Sequence, residues 1–237
     1  MLSKLLTKTT QKATKLARKA QVQQHIRGIK SRDFSIIASN CTGTLPYRFI
    51  DMTYLSPTAN LFFYAPCYLK FAARLDYYLK QELKFVGSSK YVPGRIVHQQ
   101  FGQYPIAHLD DVEIHFMHYE TAYDAQDKWI RRSQRINPKK IIFAFTDRDL
   151  CTLDLMQQFD LLPGRKILLT AQASPWLSSA ITVPAYRGQS EIGDAYTNYN
   201  HLSHVNFRRL IDGPAVTQSF ELADLEREEN QLAVRPS

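Results

Sequence analysis

The stretch Asp110-Asp111-Val112-Glu113-Ile114-His115-Phe116-Met117-His118-Tyr119, followed as far as Asp147-Arg148-Asp149, decides how the chain is read. Val112, Ile114 and Phe116 alternate with Glu113, His115 and Met117, the period of two of a β-strand. Large side chains on both sides of that alternation predict a strand covered on both faces. From Glu120 to Ile136, Ala122, Ala125, Trp129, Ile130 and Ile136 recur at helical spacing. Lys128, Arg131, Arg132 and Arg135 fill the remainder as a solvated face, and Asn137-Pro138 is the stop. Ile141-Ile142-Phe143-Ala144-Phe145 is then an apolar run of strand length. Strand, helix, strand predicts a βαβ unit. With it comes the fold class: an α/β protein of three layers, its mainly parallel open sheet Rossmann-like, with helices on both faces. Such sheets place functional groups just beyond the carboxyl ends of their strands. Here those are His118 at one end and Asp147, Arg148 and Asp149 at the next.

Working outward, Phe34 to Ala38 predicts a first strand that stops at the Gly43 turn, with Cys41 at its end. Pro66 suits the first turn of a long core helix carrying Leu69, Ala72, Leu75, Leu79 and Leu83. The polar, turn-rich residues Gly87 to Gln103 predict a loop long enough to be a lid or a substrate-facing excursion. Downstream, Cys151-Thr152 opens a short helix through Phe159, Ile167-Leu168-Leu169 is a further strand, and Ala180 to Val183 a last short one.

Composition narrows the class. At 237 residues with 44% hydrophobic and 12% aromatic residues, the chain can bury one sizeable core. Its net charge of +8 suggests a polyanion ligand, but nine Lys and Arg and no acid precede Asp33, and subtracting those nine leaves −1 for the rest. A nucleic-acid-binding domain keeps its excess charge on the folded surface, so no nucleic acid partner is expected. Three cysteines, Cys41, Cys67 and Cys151, without a Cys-x-x-Cys fit a reducing compartment and no structural zinc. No apolar run approaches the roughly 20 residues that span a bilayer, and a cytoplasmic protein is expected. His201 and His204 would share a helical face, but without a third ligand nearby no metal is expected.

The organisation read from these patterns is a basic segment over residues 1–32, a single α/β domain over 33–215, and an acidic helix and tail over 216–237. Met1 to Gln24 reads as a solvated tail, or as a helix lying on an anionic membrane surface with its leucines and alanines on one side and its lysines on the other.

Four residues at predicted strand ends suit acyl transfer. Cys41 would be the nucleophile, its thiol pKa lowered by backbone N–H groups at the strand end, His118 its base, and Asp147 or Asp149 the group that orients the histidine. Asn40 and Arg148 would contact substrate, Arg148 by holding a phosphate or a developing oxyanion. A competing assignment takes His115 as the base, paired with Glu113 on the same strand face.

Taken together, Ser39-Asn40-Cys41-Thr42-Gly43, Ser56-Pro57-Thr58 with Leu61-Phe62-Phe63, the Asp110 to Tyr119 stretch, Lys128-Trp129-x-Arg131-Arg132 and Asp147-Arg148-Asp149-x-Cys151-Thr152 resemble a known family. It is a bacterial domain-of-unknown-function family whose members are usually labelled exopolysaccharide biosynthesis proteins, and the resemblance covers Asp33 to Ala173. It implies a role in making or modifying cell-surface polysaccharide, with a sugar or polysaccharide precursor as partner. The Asn40-Cys41 pair is also similar to the Gly-Asn-Cys-Gln motif of capsule-biosynthesis acetyltransferases, which implies coenzyme A as donor. Ser39 and Thr42 stand where that motif has Gly and Gln, and Thr44 where the family's turn is expected to have a second Gly. The other role the resemblance allows is a non-catalytic polysaccharide-assembly subunit that docks at the inner membrane face through its basic N-terminus.

Overall fold

The structure, a computed structural model, describes residues 2–102, 104–194 and 202–213. The helix expected from Glu221 to Leu232 and the residue His201 lie outside the described residues.

The chain begins with helix α1 (Leu2–Arg27) and strand β1 (Ser35–Ala38), followed by a 3-10 turn over Cys41–Thr44 and the short helix α2 (Leu45–Phe49). Helices α3 (Ala65–Ala73) and α4 (Leu75–Tyr78), strand β2 (Lys84–Val86), helix α5 (Val92–Gln100) and the hairpin strands β3 (Ile106–Leu109) and β4 (Val112–His115) come next. The remainder is α6 (Ala122–Ser133), β5 (Ile141–Thr146), α7 (Leu153–Leu161), β6 (Arg165–Thr170), β7 (Ala180–Thr182) and α8 (Phe207–Asp212).

Strands β1, β5, β6 and β7 pair in parallel in the order β1-β5-β6-β7. Because successive side chains point to opposite faces, Ile36, Ala38, Ile142, Ala144, Ile167 and Leu169 all face one layer. There they bury Val22 and Ile26 of α1, Leu45 of α2, and Phe207 and Ile211 of α8. Ile37, Phe145 and Leu168 face the other way, onto α3, α7 and the inner residues Leu109, Val112 and Ile114 of a second sheet. Both faces of the parallel sheet are covered, as the apolar runs of β5 and β6 require.

That second sheet changes the reading of the decisive stretch. β4 is buried along its whole length, as expected. Its partner, however, is β3, antiparallel, in the three-stranded order β2-β3-β4. The reason is the two-residue turn Asp110-Asp111, where Asp110 takes φ 54 and closes a hairpin. Helix α6 therefore crosses from one sheet to the other, and the expected βαβ unit is not formed there. The unit that is formed runs β5-α7-β6, and its helix starts where Thr152 Oγ1 accepts the Leu155 N–H at 3.3 Å.

Three further expectations change. The long helix breaks at Arg74 (φ −127, ψ 44) into α3 and α4. The expected loop Gly87 to Gln103 contains α5, with a Pro in its first turn, where the missing N–H costs nothing. The basic N-terminal segment is helical, and Val22 and Ile26 at its end are 0% exposed, so the last turns of α1 belong to the core.

The turn after β1 needs its glycine. A Cβ on Gly43 would stand 2.4 Å from the Ala38 Cβ and 3.2 Å from Ile36 Cγ2, because the 3-10 turn lies flat against the strand it follows. Gly43→Ala is expected to destabilise the protein by about 1–3 kcal/mol through overpacking. Urea denaturation at neutral pH measures it, and an unchanged midpoint would mean the turn shifts freely.

Candidate functional site

The loops at the carboxyl ends of β1, β5 and β4 meet around a cleft of about 400 Å³. From β1 come Asn40, Cys41 and Thr42; from β5, Thr146, Arg148 and Asp149; from the turn after β4, Met117 and His118. Phe62 and Tyr64 form an aromatic wall, α5 adds Val97, Phe101 follows it, and Ile192 to Asp194 close the far side.

Local chemistry fixes each contribution. Asn40 ends β1 by accepting the Thr42 N–H on Oδ1 at 3.1 Å, while its Nδ2 donates to Thr146 Oγ1 at 2.9 Å. One side chain thus caps the turn and ties two strand ends together. The segment Leu61 to Tyr64 ties the sheets. Phe63 N–H donates to the Ser39 carbonyl, and Phe62 exchanges both backbone hydrogen bonds with His115 at 2.9 Å. Asp149 and Leu150 take φ 59 and 68, two left-handed residues in succession without a glycine. Such backbone costs of order 1–3 kcal/mol per residue. Here it is pinned by the Ala65 N–H, which donates from the start of α3 to the Asp149 carbonyl at 2.8 Å.

The electrostatics are uneven. Burial pushes the Asp149 carboxyl up, Arg148 opposes it and the Glu191 charge adds to it, leaving a pKa of about 6. Arg148 Nε is buried with no hydrogen-bond partner, and its nearest carboxylate oxygen, Glu191 Oε1, is 4.0 Å away. A desolvated guanidinium N–H without an acceptor is costly and rare in a folded protein. His118 stands exposed at the rim.

The cleft therefore collects Asn40, Cys41, His118, Arg148 and Asp149 from the residues singled out by sequence, and it excludes three others. Asp147 accepts the Ala171 N–H at 2.6 Å and the Ile192 N–H at 2.9 Å, so both its oxygens hold loops together and neither is free to orient a histidine. Glu113 and His115 are 0% exposed and lie behind the wall. His115 Nε2 donates to Glu113 Oε1 at 2.8 Å, and its Nδ1 accepts from Tyr104 Oη at 3.0 Å. The His115 imidazole packs against the back of the wall, with the Phe62 and Tyr64 rings 4.5 and 5.3 Å from it.

The expectation for Cys41 is reversed in sign. Burial, then the charges of Asp194 and Asp149, push its pKa up to about 12, and its Sγ lies 3.8 Å from the Leu61 carbonyl oxygen. The side chain is a thiol at neutral pH, not a poised thiolate.

Sequence reasoning missed Phe62, Tyr64, Phe101 and Asp194. In Leu61-Phe62-Phe63-Tyr64, alternation sends Leu61 and Phe63 to the core and the other two to the cleft. The signal was present but hidden, because all four side chains are apolar or aromatic.

These features define an α/β protein with a candidate site where the carboxyl edge of a parallel sheet meets an antiparallel one. Residues 12–213 match the family described as a domain of unknown function (DUF1919), and the chain belongs to that family. It is also 30% identical over 171 residues to an uncharacterized protein of Haemophilus influenzae, an alignment that takes in 72% of this chain and 77% of that one.

Proposed function

We propose that the cleft is the active site of a transferase of cell-surface polysaccharide biosynthesis, which moves an acyl group from an anionic donor such as a coenzyme A thioester onto a hydroxyl of a sugar. The observation that carries this reading is the unpartnered Arg148 Nε beside Asp149, inside a cleft walled by aromatic rings. A guanidinium with a free donor binds phosphate or carboxylate oxygens. Flat aromatic walls with a few polar groups suit a sugar ring.

In this reading Asp149 is the general base, since a carboxyl with a pKa of about 6 is ionised at neutral pH yet more basic than an ordinary aspartate. It takes the proton as the sugar oxygen attacks the thioester carbon, and the proton passes to the departing sulfur as the carbon–sulfur bond breaks. Arg148 faces the anionic oxygens of the donor. Cys41, held protonated, is a wall of the site rather than its nucleophile, and His118 contacts the sugar at the rim.

The purified protein is expected to melt higher with coenzyme A or its acetyl thioester. A ligand at a hundredfold excess over Kd stabilises by about 2.7 kcal/mol. Arg148→Met should abolish that shift while the unliganded protein keeps its fold. No shift with either ligand, or an undiminished one in Arg148→Met, would remove the donor assignment. A shift with nucleotide sugars in their place would make the transferred group a glycosyl.

A further inference from the structure

Away from the cleft, a basic face runs along α1 and onto α8. Lys12, Lys19, Arg27 and Lys30 are exposed, and so are Arg208 and Arg209. The two groups adjoin: the Arg208 side chain lies beside Gly28, so that a Cβ there would meet its Cδ at 3.5 Å. Further along α1, the Arg18 charge acts after burial to lower the His204 pKa, which places that arginine against the turn just before α8. Asp212, an acid beside the strip, is already engaged, because it accepts the Lys30 and Ser31 N–H groups at 2.8 and 3.0 Å. None of the six exposed basic side chains forms an ion pair among the described residues.

The same stretch of α1 exposes aliphatic surface. Ala13, Ala17 and Ala20 are exposed, and Leu16 keeps 68% of its surface in water, while Val22 and Ile26 further on enter the core. Basic residues interleaved with aliphatic ones are the composition of a helix that lies in a membrane interface. A strip that bound nucleic acid would instead carry aromatic platforms for the bases, and no Phe, Tyr or Trp falls between Lys12 and Lys30. No helix among the described residues is long and apolar enough to cross a membrane.

We infer that the face formed by α1 and α8 docks on an anionic lipid surface, with the basic side chains at the headgroups and Leu16 dipping between them. Each basic residue near such a surface strengthens binding about fivefold. The full chain is expected to sediment with vesicles of phosphatidylglycerol and phosphatidylcholine, to lose that binding as salt is raised, and to ignore vesicles of phosphatidylcholine alone. The double variant Arg208→Gln/Arg209→Gln should weaken binding about thirtyfold, as should Lys12→Gln/Lys19→Gln. Circular dichroism and the melting temperature confirm that each variant is folded. Leu16→Gln is a second probe that leaves the charge unchanged and should weaken binding as well. Equal binding to both vesicle types, no binding to either, or insensitivity to both double variants would overturn the inference. So would charge-dependent retention of a single-stranded RNA by a chain that ignores the vesicles.

Discussion

Glu113→Ala is expected to cost about 3–5 kcal/mol of stability, because it leaves several hydrogen-bond donors without their acceptor at about 1–3 kcal/mol for each buried one. The carboxylate is 0% exposed and is the hub of a network. Ser89 Oγ donates to it at 2.5 Å, the Lys90 N–H at 2.7 Å, His115 Nε2 at 2.8 Å and His108 Nε2 at 3.2 Å. Removing it strands at least the buried Ser89 and His115 donors, where water does not readily replace the lost acceptor. Glu113→Gln keeps an acceptor and should cost less. Urea denaturation at neutral pH decides, and a loss below about 1 kcal/mol would show that the pocket refills. The double variant Glu113→Ala/His115→Phe is the control for coupling. With no imidazole left to satisfy, it should recover part of the loss.

The same network sets the acid limit. Burial alone would raise the Glu113 carboxyl, but hydrogen bonds from His115, the Lys90 amide, Ser89 and His108 outweigh it and hold the pKa at about 2. Burial lowers the His115 pKa, and the Glu113 charge only partly restores it. Both folded-state pKa values lie below the ordinary ones. The stability they contribute is complete above pH about 6.5 for His115 and above about 4.5 for Glu113, and it is lost as pH falls. Asp149 titrates in the opposite sense between about pH 4 and 6, so the fall of the urea midpoint below pH about 6.5 should be clearest in Asp149→Asn, and it should steepen below about 4.5. In Glu113→Ala the second fall should be shallower, since Asp111, Asp160 and Asp212, also held below the usual carboxylate range by their hydrogen bonds, still titrate there.

How far the sequence carries is visible residue by residue. The β5 run Ile141 to Phe145 is apolar on both faces, so its place in a covered parallel sheet was legible, as was the strand-end position of Arg148 and Asp149. The same logic misplaced β4. A strand buried on both faces by a polar network on one side and a core on the other reads like a parallel central strand, and only the Asp110-Asp111 turn distinguishes them. Convergence of Cys41, His118 and Asp149 was inferred from strand ends, and the cleft brings them together. Their protonation was not legible, because it depends on burial and on charges from residues 191 and 194, remote in sequence. Asp147 and Asp149 are equivalent in sequence. Backbone amides engage the first, and a left-handed turn frees the second.

That freed carboxylate leads to the second large effect. Asp149→Asn is expected to make the protein more stable at pH 8 and inactive. The folded pKa of about 6 lies above the ordinary 3.8, so the fold favours the protonated form. That preference helps fully below pH about 3.8 and is lost as pH rises through 6. Above that, ionised Asp149 costs about 2–3 kcal/mol. An amide removes the charge, keeps the shape of the protonated acid and tolerates φ 59, since asparagine is among the residues that adopt left-handed backbone most readily. The variant should match the parent below pH about 4 and exceed it by about 2–3 kcal/mol at pH 8, the gap opening between about pH 4 and 6. A gap that does not change with pH would mean that Asp149 is not desolvated. Under the proposed chemistry the variant still binds donor, because Arg148 is intact, but loses a factor of about 10²–10⁴ in turnover with the base. A site that stores instability in one carboxylate and gives it up only with function is the stability–activity trade-off expected of a catalytic group. Unchanged turnover in Asp149→Asn would leave the strained turn at Asp149 and Leu150 as a purely architectural feature.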